Sequence, residues 1–358
     1  SWWRETLLLT YGFARLDHKR FAVKYLDWLS SRTKSGEICM AGLELAGTAL
    51  LEIEDPDVAD KRSQAEKIVT ALQNKEIRAP AIIRTRIGNT LANLGDPRFR
   101  PDAFYLPDEP MLGFVHFSAG RFLMGSDPTK DQYSEKEEQP PHEVELNEFY
   151  LARYLVTVAQ YKAFIDTRKS KPKELDSLSG SLNHPIVNVS WYDAVAYCDW
   201  LTVQLRSLPN FLSEKIYNWR VTLPSEAQWE RAARGRHGNI YPWGDQSDPN
   251  KANTRESKIG GTSVVGCFPT GESPDGLMDL IGNVWEWTCS HFDDYPYPPP
   301  GKAREERECS PIRSITTLVL RGSSWEESLI KARCARRLRN NPNNKYDSVG
   351  FRVCLVPC

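Results

Sequence analysis

The side chains of this sequence that could hold a metal or act as nucleophiles are its eight cysteines and six histidines. No two cysteines form a C-x-x-C pair, and they are scattered through apolar segments. This pattern favours buried thiols in a cytoplasmic protein, with a disulfide framework as the alternative. The sequence has no nucleophile elbow, zincin helix or P-loop. Glu226, Glu230 and Glu286 lie in tryptophan-containing motifs, where we expect structural roles.

The length of 358 residues exceeds one typical domain, so we expect two domains to position these side chains. With 40% hydrophobic residues, the chain can bury a sizeable core. The net charge of -1 indicates neither nucleic acid nor an anionic membrane as a partner. No apolar run approaches the ~20 residues that span a bilayer. Arg4 and Glu5 interrupt the first apolar stretch, so we expect a start cut from a longer protein or processed, and no signal peptide.

Residues 1–100 show helical periodicity, with stop signals between the helices. The last helix is expected to end at Leu94, because Gly95 and Pro97 follow it. Residues 84–98 (RTRIGNTLANLGDPR) resemble the end of a HEAT-like repeat. A small irregular helical bundle is the alternative. Residues 101–112 carry three prolines and are predicted to be a linker.

Residues 113–358 show short β-like runs between turns, with helices predicted from Val158, Trp191 and Ser225. Eight motifs follow in a fixed order. They are residues 120–126 (GRFLMGS), 138–144 (EQPPHEV), 185–194 (PIVNVSWYDA), 223–230 (LPSEAQWE), 241–244 (YPWG), 282–287 (GNVWEW), 321–325 (RGSSW) and 350–353 (GFRV). Together they resemble the formylglycine-generating-enzyme/sulfatase-modifying family. The resemblance implies an irregular C-type-lectin-like domain at 113–358. The chain is then α+β, with an all-α HEAT-like domain at 1–100 ahead of it.

In active enzymes of that family, two cysteines shortly after the R-G-G-S-W-like motif bind copper and oxidise a substrate cysteine. The corresponding residues here, 326–333 (EESLIKAR), contain no cysteine, and Cys334 matches a structural core position. A related oxygenase of ergothioneine synthesis holds iron on a histidine cluster from its helical half, where this chain has only His18. The resemblance therefore implies a protein that is not an enzyme and takes no copper.

The C-terminal end also resembles the variable proteins of diversity-generating retroelements, in which replaced asparagine codons form an exposed ligand surface. By position, the candidate variable residues are Glu326, Glu327, Ser328, Leu329, Ile330, Lys331, Arg337, Leu338, Arg339, Tyr346, Asp347 and Ser348. Leu329, Ile330, Leu338 and Tyr346 lie among charges and turns, so we expect them to be exposed, as in an interface core. Adenine mutagenesis of asparagine codons cannot produce Glu or Lys. An ordinary fixed loop therefore stays the alternative.

The same family resemblance implies a Ca²⁺ site of oxygen ligands. Its candidate ligands are Asp279, Gly282, Val284 and Glu286, and Asn253 would begin a second site. Glu286 could instead satisfy backbone donors in the core.

These patterns predict a non-catalytic binding domain for an unknown protein or other macromolecule, with no nucleic-acid or membrane partner. Helices followed by such a domain resemble the tails of NACHT-type ATPases, so the domain would be the sensor end of a larger signalling or defence protein. An enzyme with altered chemistry and a structural scaffold are the alternatives.

Overall fold

The computed structural model describes residues 2–17, 19–31, 36–52, 58–167, 176–208, 218–236, 238–309 and 317–358. His18, the one histidine of the predicted helical domain, lies outside these ranges. None of the helices in these ranges combines the length and apolar character that crossing a membrane requires.

The described residues of the first part of the chain fold into five helices. They are α1 (Trp2–Asp17), α2 (Lys19–Ser31), α3 (Gly36–Leu51), α4 (Val58–Gln73) and α5 (Ala81–Leu94). The predicted end of α5 at Leu94 is confirmed, and Gly95 follows with a φ of 92°. Helix α3 contacts the other four and buries Met40, Leu43 and Leu50 among them. A helix that packs against four others does not by itself identify a repeat. The HEAT-like repeat therefore stays a prediction.

Two short strands, β1 (Phe99–Arg100) and β2 (Leu106–Pro107), pair antiparallel within and just before the predicted linker. This stretch therefore contains paired secondary structure, and its role as a linker stays a prediction.

The remainder forms an α+β domain of short strands and helices. The strands are β3 (Phe114–Phe117), β4 (Gly120–Met124), β5 (His142–Leu146), β6 (Phe149–Ala152), β7 (Trp219–Thr222), β8 (Trp285–His291), β9 (Leu318–Arg321), β10 (Arg337–Asn340), β11 (Val349–Gly350) and β12 (Cys354–Pro357). The helices are α6 (Val158–Asp166), α7 (Trp191–Ser207), α8 (Glu226–Arg234) and α9 (Lys302–Cys309). The strands form two four-stranded sheets, of order β3-β6-β12-β7 and β10-β9-β8-β11, and a β4-β5 hairpin.

Three of these helices begin at capping boxes, which fix where the chain turns into the helix. The N-cap residues are Thr157 for α6, Ser190 for α7 and Ser225 for α8. Each cap side chain accepts from the backbone three residues on, and that residue's side chain accepts from the cap. The predicted helix start at Ser225 is confirmed, and it sets the direction in which Glu226 and Glu230 enter the core.

The helical part and the α+β domain share a hydrophobic core. Val264, Cys267 and Phe268, from a loop of the α+β domain, are buried in the same cluster as Ile87 and Leu91 of α5. A Cβ at Gly88 would lie 2.1 Å from a methyl carbon of Val264, so only glycine allows this approach without a shift.

Polar contacts also join the helical part to the α+β domain. Arg98 donates to the Val265 carbonyl at 2.8 Å, and Asn183 donates to the Gly88 carbonyl at 3.2 Å. His184 contacts Asn89 of α5 at 2.7 Å and Thr262 of the loop at 2.9 Å. The two parts are therefore joined by packing and hydrogen bonds along α5.

Candidate functional site

The C-terminal segment is held to the domain by arginines that bind buried carboxylates of α8. Glu226 and Glu230 lie one turn apart on α8, and both are fully buried. Arg337 of β10 binds Glu226 through both carboxylate oxygens, at 2.8 and 2.9 Å. Arg321 of β9 pairs with Glu230 and donates to the Ala335 carbonyl at 2.8 Å. Burial opposes ionisation of Glu230, but Arg321 and Arg234 hold its pKa below the ordinary value.

A second buried ion pair fixes the stretch between β9 and β10. Arg333 donates to both oxygens of Glu138, at 2.6 and 2.8 Å, and to Asp131 at 2.6 Å. Next to it, the Cys334 amide donates to the Ile240 carbonyl at 2.8 Å. The loop between the two strands is thus anchored by side chains that point inward, independently of those that point outward.

The predicted variable residues divide into three groups by exposure. Exposed to solvent are Glu326, Ile330, Lys331, Leu338, Arg339, Tyr346 and Asp347. Half-buried are Glu327 and Ser328. Buried are Leu329, Arg337 and Ser348. The exposure expected for Ile330, Leu338 and Tyr346 is confirmed.

For the three buried residues the prediction of an exposed surface is wrong, and each has a physical reason. Leu329, 4% exposed, packs into the cluster that contains Trp229, and its amide donates to Glu256 at 3.0 Å. Arg337 is occupied by Glu226. Ser348 directly precedes β11, and its carbonyl accepts from the Trp285 amide at 2.8 Å.

The exposed residues lie on two stretches that converge on the start of β8. In the loop after β9, the Trp325 amide donates to the Asn283 carbonyl at 3.1 Å. The turn after β10 ends at Ser348, which is bonded to Trp285. The loop rests on residues 254–257, where Arg255 donates to the carbonyls of Glu326 and Glu327. Both ends of the candidate surface therefore meet within residues 283–285.

Sequence reasoning missed a neighbouring aromatic residue, Tyr192, which is 45% exposed at the start of α7. The turn after β10 lies against this helix start, because the Trp191 amide donates to the Pro342 carbonyl at 3.0 Å. Lys345 pairs with Asp193 at 3.1 Å. On the turn, Asn344 donates to the Tyr346 hydroxyl at 3.1 Å and holds that ring in place. The signal was the tryptophan-tyrosine pair in a helix cap, which motif matching assigned to the fold.

The segment between β9 and β10 contains one cysteine, Cys334. Cys334 is fully buried, as expected for a structural position, and burial raises the pKa of its thiol. Cys198, Cys267 and Cys354 are likewise buried free thiols, and Cys358 is an exposed one. The side chains of Cys39 and Cys309 lie outside the described residues. Within the described part of the chain, no group of three or more His, Cys, Asp or Glu side chains could hold a metal ion.

The residues expected to bind Ca²⁺ are engaged with other partners. Glu286 is fully buried and both its oxygens accept from Arg352, at 2.6 and 2.8 Å. Asp279 accepts from the Gly266 amide at 2.6 Å, and burial raises its pKa to about 6. The Asn253 side chain bonds Ser257 and Gly261, both at 2.9 Å.

Gly282 and Val284 were expected to contribute backbone carbonyls. Gly282 has a φ of 75°, and a Cβ there would lie 2.3 Å from the Asn253 carbonyl oxygen, which explains the glycine. Val284 is fully buried. The arrangement does not fit Ca²⁺, because the Arg352 guanidinium already supplies the positive charge at Glu286.

Comparison with known proteins gives consistent similarities for the α+β domain. The profile of the FGE-sulfatase family, described as the sulfatase-modifying factor enzyme 1-like domain, matches residues 103–356. The inactive Cα-formylglycine-generating enzyme 2 of Mus musculus is 28% identical over 298 residues, which is 66% of this chain and 84% of that protein.

Two further similarities concern a kinase and a solved structure. The serine/threonine-protein kinase pkn1 of Chlamydia caviae is 30% identical over 266 residues, and the match spans 69% of this chain but only 38% of the kinase. The structure of Treponema denticola variable protein 1 superposes with a TM-score of 0.52 at 23% identity, covering 68% of this chain and 95% of that one. At this identity the superposition establishes the fold alone.

Proposed function

This chain belongs to the FGE-sulfatase family, and within that family we propose that its C-terminal domain is a non-catalytic ligand-binding domain with a variable surface, as in the variable proteins of diversity-generating retroelements. The ligand surface consists of seven exposed residues, which we call the display residues. They are Glu326, Ile330, Lys331, Leu338, Arg339, Tyr346 and Asp347.

The observation that carries this proposal is that residues 321–352 contain two kinds of side chain, buried arginines that anchor the segment and exposed residues that do not. Arg321, Arg333, Arg337 and Arg352 point inward and bind buried carboxylates. The display residues between them point to solvent. Since exposed substitutions usually change stability by less than about 0.5 kcal/mol, this surface can change while the fold persists. Exposed Tyr and Arg side chains are among the types enriched at the energetic centres of protein interfaces.

The relatives support the same reading. A relative that matches most of its own length is called inactive, and a structure with this fold is called a variable protein. No cysteine lies between Trp325 and Cys334, where the copper-binding pair of the active enzymes would be.

The first experiment replaces all seven display residues together by serine or asparagine. We expect the melting temperature to change little, whereas R337A should lower it strongly. A large loss of stability in the seven-fold variant would contradict the proposal. Diversification is tested separately, by searching the gene's neighbourhood for a repeat of the region encoding residues 321–352 beside a reverse transcriptase gene. At the Glu326 and Lys331 codons the repeat must differ from an asparagine codon.

Absence of catalysis is tested by incubating the protein with copper and a peptide that contains C-x-P-x-R. We expect no formylglycine. Formation of the aldehyde would establish the alternative, an enzyme of this family with altered chemistry.

We also propose that this domain is the sensor end of a larger cytoplasmic signalling or defence protein, in which a NACHT-type ATPase would precede the helices. The shared core of α5 with Val264, Cys267 and Phe268 supports a coupling between the domain and what lies before it. A reading frame that encodes no ATPase upstream of this segment would contradict the ATPase part.

A further inference from the structure

Strand β10 is the edge of its sheet. In the order β10-β9-β8-β11, its one strand neighbour among the described residues is β9, paired antiparallel from Arg337↔Arg321 to Asn340↔Leu318. Within the described ranges, no backbone hydrogen bond joins the outer edge of β10 to another segment. Alternate residues of an antiparallel strand direct their N–H and C=O groups to opposite edges. Two of the four residues therefore direct their main-chain donors and acceptors away from β9.

The two central side chains of this edge differ in chemistry and point to opposite faces of the sheet. Leu338, 37% exposed, continues the row formed by Leu320 and Trp287 on the strands behind it. Arg339 projects to the other face, where its guanidinium lies 5.7 Å from the ring centre of Phe292. An added strand would meet an apolar side chain on one face and a cation on the other.

Arg339 differs from the other arginines of this segment in its ion pairing. Arg333, Arg336 and Arg337 all bind carboxylates. Arg339 has no carboxylate within ion-pair distance in the part of the chain that the structure describes. A cation that is exposed on an open strand edge, and unpaired within the described residues, favours an acidic side chain on whatever pairs there.

A second copy of this chain fits the edge poorly. Antiparallel pairing of two β10 strands centred on Leu338 or on Arg339 places arginine opposite arginine, either Arg337 against Arg339 or Arg339 against itself. Centring the pair between the two residues places Leu338 opposite Arg339. Like charges directly opposite each other destabilise a strand pair.

From this geometry we propose that β10 binds an extended segment of a partner protein as an added strand, and that this segment alternates acidic residues, which meet Arg339, with apolar residues, which meet Leu338. Main-chain hydrogen bonds give such a strand its register, and the alternating side chains give it specificity. The inference rests on the proposed binding function and names the chemistry of its ligand. Asn344 extends the surface, because its amide bridges Asn340 at the end of β10 and Tyr346 at 2.7 and 3.1 Å.

The test uses short random peptides displayed on phage and selected on the immobilised full chain. We expect the enriched peptides to alternate acidic and apolar residues. Affinities are then measured for the synthetic peptides. R339E should weaken binding about tenfold, because an attractive pair becomes a repulsive one. Peptides with lysine in place of the acidic residues should bind R339E and not the unaltered chain.

The matched control is K162E, which reverses an exposed cation on α6 and should leave binding unchanged. A second probe is N-methylation of the peptides. Methyl groups on one alternate set of amides should abolish binding, and on the other set should be tolerated, because only one set faces β10.

Failure of this inference can be told from failure of the proposed function. If the peptides depend on Ile330, Lys331 or Tyr346 but are indifferent to R339E and to N-methylation, the added strand is wrong and the binding surface stands. If no peptide is enriched, the added strand is also wrong. The proposed function is then decided by the seven-fold variant and the template repeat.

Discussion

Arg337 and Glu226 bind each other as two parallel forks, with Nε of the arginine 2.8 Å from one carboxylate oxygen and Nη2 2.9 Å from the other. The two residues are 111 positions apart in sequence, so this pair joins β10 to the start of α8. It also distinguishes Arg337, which is buried, from Arg339, which lies two residues further along the same strand and is exposed to solvent.

The first prediction compares these two arginines. R337A should lower the free energy of unfolding by about 3 kcal/mol, because it leaves buried carboxylate charge without a principal partner. R339A should change it by less than about 0.5 kcal/mol. Urea unfolding of both variants measures the difference. Equal effects would show that the separation of anchors from display residues is wrong.

The second prediction concerns Glu286. Since Arg352 occupies both its oxygens, the melting temperature should be the same in millimolar Ca²⁺ and in a chelator. E286Q should destabilise the protein by about 3 kcal/mol in either condition, because the Arg352 charge is then buried without a carboxylate. A saturable rise in melting temperature with Ca²⁺, lost in E286Q, would restore the calcium site that the family resemblance implies.

The third prediction is a pH dependence at the boundary along α5. Burial lowers the pKa of His184 to about 4, from an ordinary value of 6.5. The unfolded chain therefore binds a proton between these values that the folded chain does not, so stability is full above pH 6.5 and is lost as the pH falls toward 4. The loss amounts to up to about 3 kcal/mol.

The measurement for His184 is a difference between the unaltered chain and H184Q across that pH range. Taking the difference cancels the contributions of other titrating groups to the pH dependence. Among them is Asp279, whose pKa burial raises to about 6 and whose contribution has the opposite sign. A difference in the free energy of unfolding between the two proteins that stays constant from pH 7 to pH 4 would contradict the prediction.

The fourth prediction tests the shared core at Gly88. Glycine to alanine inside a helix usually stabilises by up to about 1 kcal/mol. G88A should instead destabilise by about 1–3 kcal/mol, because the new methyl group meets Val264. The loss should shrink in a V264A background. The control is G12A in α1, where no atom of the described residues lies within 4 Å of the new Cβ and stability should rise.

Much of the fold was predictable because it depends on local signals. The order of the motifs indicated the domain, the serine and glutamine of α8 indicated its start, and the glycine after Leu94 indicated the end of α5. The last two signals act within a few residues along the chain. Helix α9 was missed because its charged sequence carries no apolar periodicity.

The candidate site was predictable only in part. Position in the motif pattern identified the segment, and exposure is confirmed for residues such as Leu338 and Tyr346. Leu329 and Ile330 are neighbouring aliphatic residues, yet one is buried and the other is exposed. Arg337 and Arg339 are both arginines, and again one is buried and the other is exposed. Which member of each pair is buried is decided by distant partners, Glu256 and the Trp229 cluster for Leu329 and Glu226 for Arg337.

The packing of Val264, Cys267 and Phe268 against α5 bears on how the domain can be produced in isolation. A fragment limited to residues 103–356, the span that matches the family, would lack Ile87 and Leu91 and would leave these three side chains uncovered. Contiguous uncovered apolar surface promotes self-association, so such a fragment should aggregate where the full chain does not. The limits of sequence similarity are thus not the limits of the unit that must fold together.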